Sequence, residues 1–129
     1  MSVMTDLELN KKIVLDFFTT AFAGDPDKAV ADHVGDRYIQ HNPLAPDGTE
    51  AFIGFVNWLR GECPNLKLDV KRVMADGDIV VTHSHLVLEP GTSGRALADF
   101  FRVVDGKVVE HWDVIQDIPE TSANPNGMF

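Results

Sequence analysis

The chain of 129 residues has one cysteine, Cys63, so no internal disulfide can brace it. Its apolar runs are short and broken by Thr, His or charged residues, which argues against a membrane-spanning helix. Basic residues are scarce: 11 Lys and Arg against 20 Asp and Glu leave a net charge of −9, and no basic stripe gathers the few there are. Such a chain repels phosphate backbones, so nucleic acid is not an expected partner. A glycine-rich phosphate loop is missing, as is a serine nucleophile elbow. The opening MSVMTDLELN lacks the basic-then-apolar order of a secretory signal, and together with the lone cysteine this points to the cytoplasm.

What is present reads as one globular domain over residues 1–129, long enough for one sizeable core or cavity. Thr5-Asp6-Leu7-Glu8 has the form of a capping box, and Ile13, Val14, Phe17, Phe18, Ala21 and Phe22 follow at helical spacing up to Gly24. Asp25-Pro26 opens a short second helix that runs to about Val34. Tyr38 to His41 suits a short strand, and Asn42 to Gly48 is a loop by its proline and glycine content. A third helix opens at Asp47 to Glu50, carries Phe52, Phe55, Val56 and Leu59 on one side, and stops before Pro64. From Leu66 the period changes to two, with Asp76-Gly77 and Asp105-Gly106 marking tight hairpins, and PETSANPNGMF closes the chain as an extended or mobile tail. Helices followed by an antiparallel meander give the α+β class, with the first and third helices closing a pocket against a curved sheet.

Alternation places Leu97, Asp99, Phe101 and Val103 on one face of a strand. A carboxylate among apolar side chains needs a compensating partner, because burying a lone charge is costly. Turns centred on the two Asp-Gly pairs set Asp99 opposite Trp112 and, with Glu89 opposite Arg95, place His85 beside Asp99. The inward face then holds Val81, Val87, Val108 and Val114 around a polar cluster of His83, His85, Asp99, Glu110, Trp112 and Gln116. His111 and Asp113 fall on the outer face by the same count, together with Leu86, Phe100, Val109 and Ile115. That mixture hints at a homodimer through the outer face.

With those residues in view, the chain resembles the SnoaL-like polyketide cyclases of the nuclear transport factor 2-like superfamily, which have a cone-shaped α+β fold. The resemblance rests on the order of helices before strands and on Tyr38-Ile39-Gln40-His41-Asn42-Pro43, His83-Ser84-His85, Asp99-Phe100-Phe101-Arg102 and the run from Asp105 through His111-Trp112-Asp113. It implies a metal-free and cofactor-free ring closure by intramolecular aldol condensation, with Asp99 as acid/base and His85 as the nearby histidine. His41 or Asn42 would be the polar pocket position after the first strand. Tyr38, His83, Phe101 and Trp112 would complete the substrate-binding set.

An apolar pocket suits such chemistry because desolvation raises a carboxyl's pKa toward the working pH. The expectation is therefore an acid/base enzyme, of aldol-cyclase or isomerase type, on a hydrophobic carbonyl compound. A binding module using the same cavity is the alternative. A metal site from His83, His85 and Asp99 is the weaker rival, since no fourth ligand is evident except a distant His41 or Glu110. Cys63 sits at a helix end with nothing nearby to activate it.

Overall fold

A computed structural model describes residues 6–129. The element order is α1 (Asp6–Ala23), α2 (Pro26–His33), β1 (Val34–Gln40), α3 (Thr49–Glu62), β2 (Lys67–Asp76), β3 (Ile79–Val87), β4 (Arg95–Val104) and β5 (Lys107–Asp117). The strands form one open sheet in the order β1-β5-β4-β3-β2, antiparallel except where β1 runs parallel to β5. This is the expected α+β architecture with the first strand added at one edge. Among the described residues, no helix is long and apolar enough to cross a membrane.

The apolar stripe of α1 buries Val14, Phe17, Phe18 and Ala21. Phe17 and Phe18 meet Phe101 of β4 edge-on, with ring centroids 6.2 and 5.3 Å apart. Gly24, at φ +120°, ends the helix in a conformation that favours glycine. Asp25 caps α2 by accepting the Lys28 N–H, and Pro26 begins that helix as expected. The capping box assigned to α1 begins at Thr5, outside the described residues. Phe17 is fully buried and stacks on Phe52 of α3 as well as meeting Phe101. Phe17→Ala is therefore expected to cost about 3–5 kcal/mol of stability, read as a lower urea midpoint at unchanged slope.

Extra residues in two strands decide which side chains face the helices, the first of them Lys71 in β2, left over where Arg72 pairs with His83 but Val70 with Ser84. In the first hairpin Asp76 pairs with Ile79, so the turn residues are Gly77 and Asp78, one step later than the Asp-Gly pair suggests. Gly77 carries the positive φ at the first turn position, where the Asp76-Gly77 reading would have needed it at both positions. The second turn, Asp105-Gly106, has positive φ at both residues and pairs Val104 with Lys107 as expected. Beyond it the ladder shifts: Val103 pairs with Val108 but Arg102 pairs with Glu110, leaving Val109 as an extra residue. From Glu110 onward β5 therefore shows its opposite parity to the core.

The tail is not free in the structure. Phe129 packs on the outer side of the sheet, 5.2 Å from the His83 ring and 4.8 Å from that of His85, beneath the Lys71 ammonium.

Candidate functional site

Between the inner face of the sheet and helices α1 and α3 lies a cavity of about 400 Å³. Its walls are apolar: Phe18 and Phe22 from α1, Phe52, Phe55 and Trp58 from α3, and Leu86, Leu97, Phe101 and Ile115 from the sheet. The polar lining comes from Tyr38, Gln40 and Asn42 at the end of β1 and from Asp99, His111 and Asp113 on β4 and β5, while Glu62, Cys63 and Arg95 are also exposed to it.

Asp99 is 3 % exposed, and its Oδ1 lies 2.8 Å from Nε2 of His111, itself buried. Oδ2 of Asp99 has no hydrogen-bond partner among the described residues, nor does the hydroxyl of Thr82, the residue paired with Asp99 on β3. Burial raises the Asp99 pKa above the usual carboxylate range; the hydrogen bond and charge of His111 oppose that rise, and the Asp113 carboxylate adds to it. Asp113 lies 4.0 Å from His111 Nε2, and its two carboxylate oxygens share the Asn42 Nδ2 donor at 2.9 and 3.1 Å. The other ring nitrogen of His111, Nδ1, sits 2.8 Å from Oε1 of Gln40. Tyr38 is buried beside this group, and burial first, then the Asp99 and Asp113 carboxylates, push its phenol pKa up, against a side-chain hydrogen bond with Gln40.

The loop after β1 supplies two of these contacts because it folds back on its own strand. Asp47 accepts the Gln40 N–H at 2.8 Å and the Gly48 N–H reaches the Tyr38 carbonyl at 2.9 Å. Asn42 Oδ1 accepts the Leu44 N–H, which orients the amide so that its hydrogens face Asp113.

Of the residues singled out from sequence, Asp99, Tyr38, Asn42 and Phe101 line the cavity. His85 does not pair with Asp99. It pairs with Ala96 across β4, and its Nε2 donates to the Ser93 carbonyl at 2.7 Å. His83 is beside Arg72, which donates to its Nδ1, on the same outer side. An extra residue in β2 is the reason: Arg72 pairs with His83 but Val70 with Ser84, leaving Lys71 over, and Arg95 lies opposite Leu86 instead of Glu89, so β3 buries Val80, Thr82, Ser84 and Leu86 instead of Val81, His83, His85 and Val87. Trp112 is likewise outside, stacked 4.7 Å from His41 and lying under the Arg102 guanidinium, while Glu110 binds His41 at 2.7 Å and Arg102 at 3.0 Å. His41 thus belongs to an outer cluster and Asn42 to the cavity.

Sequence reasoning missed His111, Asp113 and Gln40 as cavity residues. The signal was the adjacent pair Val108-Val109, both buried, where strict alternation would expose one. The extra residue there puts His111, Asp113 and Ile115 inward.

A metal site built from His83, His85 and Asp99 is ruled out by this placement. Among the described residues, the group that could hold a cation is Asp99, His111 and Asp113, whose ligand atoms lie within 4.8 Å of one another. In the structure as it stands the direct Asp99–His111 hydrogen bond satisfies two of the three.

Helices before an open sheet agree with the folds of known proteins. The sequence profile of the SnoaL-like polyketide cyclases matches residues 12–121. The chain belongs to that family. A protein of Jannaschia sp. CCS1 assigned as a SnoaL-like polyketide cyclase superposes with a TM-score of 0.70 at 23 % identity, covering 89 % of this chain and 90 % of the other. A protein of Kribbella flavida assigned as a ketosteroid isomerase gives 0.73 at 25 % identity over 97 % and 88 % of the two chains. TsrD of Streptomyces laurentii gives 0.70 at 19 % identity over 88 % and 91 %. No curated protein sequence matches. As a SnoaL-like protein, the chain shares its fold with relatives that carry both cyclase and isomerase assignments.

Proposed function

We propose that this SnoaL-like protein is a cofactor-free acid/base enzyme acting on a hydrophobic carbonyl compound, of aldol-cyclase or isomerase type. The observation that carries the reading is the buried Asp99 carboxyl, with one oxygen tied to His111 and the other unpartnered, in an apolar cavity. Oδ2 takes a proton from the carbon next to a carbonyl, and the enolate closes on a second carbonyl or is reprotonated elsewhere. The proton then returns from Asp99 to the new alkoxide or carbon, so nothing is consumed. A raised pKa suits a group that must both accept and donate. Tyr38, whose phenol is held protonated, is the donor available for developing negative charge on oxygen.

The test is turnover of a panel of hydrophobic ketones by wild type and Asp99→Asn. Loss of turnover with retained binding supports the reading. Equal turnover sinks it, and binding with no turnover by either protein would make this a small-molecule binding module.

A homodimer through the outer face is part of the proposal, on changed grounds. Leu86 and Ile115 line the cavity and do not belong to that face, which keeps Phe100, Trp112 and Val114, the last 66 % exposed. Sedimentation velocity should give twice the chain mass for wild type and a smaller species for Val114→Asp; a wild-type monomer at all concentrations would reject it.

A further inference from the structure

Gln40 ends β1 and is the strand partner of His111 on β5. Its Oε1 accepts three contacts at once: the backbone N–H groups of His41 and Asn42, both at 3.0 Å, and Nδ1 of His111 at 2.8 Å. The His41 N–H is shared with the His111 carbonyl at 3.0 Å, whereas the Asn42 N–H donates to Oε1. These two donors fix which end of the amide faces them, because a reversed amide would set its NH₂ against N–H groups that have nothing to donate to. An amide oxygen can only accept, so His111 Nδ1 must carry a hydrogen.

We propose that Gln40 is a positioning residue that locks His111 in the Nδ1–H form, so that Asp99 and His111 hold one mobile proton between Oδ1 and Nε2. With Nδ1 protonated, a neutral ring turns a bare Nε2 toward Asp99, and the 2.8 Å contact needs a proton on one side or the other. Asp99 therefore ionises by passing its proton to His111, and the pair stays net neutral while Oδ2 keeps no hydrogen-bond partner of its own. Without the lock, a neutral ring would carry its hydrogen on Nε2 and donate it to a fixed carboxylate, which makes Asp99 a weaker base. The other groups facing the ring leave Nδ1 alone: Asp113 is 4.0 Å from Nε2, and Tyr38 and Phe101 lie along the ring faces with centroids 6.4 and 5.0 Å away. The functional consequence rests on the acid/base reading given above; the tautomer does not.

The test is ¹⁵N NMR of the His111 ring across the pH range in the full chain. Wild type should show Nδ1 protonated throughout, with only Nε2 responding to pH; a neutral ring with bare Nδ1 overturns the proposal. Gln40→Leu should move the neutral ring to the Nε2–H form, and unchanged ring signals in that variant would also overturn it. Should Gln40→Leu fail to fold, Gln40→Glu keeps the acceptor and adds a charge. It should retain Nδ1–H and extend the doubly protonated ring to higher pH, and no such extension counts against the lock. Failure of the acid/base reading is seen separately, as turnover that survives Asp99→Asn with the tautomer unchanged.

Discussion

Asp99→Asn is expected to lower turnover of a hydrophobic ketone by roughly 10²–10⁴-fold, the usual share of a positioned general acid/base, while making the folded protein more stable at neutral pH. The two effects have one cause. The Asp99 pKa is raised above its ordinary 3.8, chiefly by burial. A carboxyl whose pKa is higher folded than unfolded contributes stability in full below the unfolded value, and that contribution is lost as pH rises through the folded value. Above that window wild type carries the cost of a buried charge or of a retained proton. Asparagine carries neither, and its amide can donate to the bare Nε2 of His111 in the contact that Asp99 leaves. The advantage of Asp99→Asn in thermal melts should therefore grow from about pH 4 upward and then level off. A variant less stable than wild type at every pH would show that the carboxylate is held charged by its partner, and would remove the physical basis for a proton carrier.

Most of the fold was legible in the sequence because its signals are local: helical spacing in α1, Asp25-Pro26 at the start of α2, and period two from β2 onward. Asp99 was legible for the same reason, since its place among Leu97, Phe101 and Val103 depends on one strand alone. Its partner was not. Finding His111 requires a register across two strands, and each of two one-residue events reverses the parity of a whole strand. The extra residue at Lys71 in β2 turned His83 and His85 outward, and the extra residue at Val109 turned His111 and Asp113 inward. The apolar residues Leu86 and Ile115, which looked out of place on a solvent face and suggested an interface, were evidence of this shift. Gln40 was hidden differently: its role depends on a loop that folds back on β1, and neither periodicity nor composition encodes that contact.

His111→Phe is expected to be the most destabilising change within the polar cluster, and its cost should depend on both pH and Asp99. Phenylalanine keeps the aromatic shape between Tyr38 and Phe101 but removes the partner of a carboxyl that is otherwise desolvated. His111 is what holds the Asp99 pKa down against burial, so its loss pushes that pKa further up. An unpaired buried charge costs several kcal/mol, but the carboxyl has a cheaper course: staying protonated at pH 7 costs roughly 4 kcal/mol, about three units at 1.36 kcal/mol each. Protonation therefore caps the penalty, and the loss should fall from at most roughly 4 kcal/mol at pH 7 toward the about 1 kcal/mol of the lost hydrogen bond near pH 4, as the unfolded chain also protonates. In an Asp99→Asn background no charge remains to strand, and the same substitution should cost about 1 kcal/mol, the worth of one hydrogen bond. Urea titrations of the four proteins of this cycle at pH 7 and pH 4 give the coupling directly. A coupling of about 3 kcal/mol that collapses at low pH is the mark of two groups sharing one proton, whereas a coupling that pH does not move would mean that Asp99 and His111 meet only as packing partners.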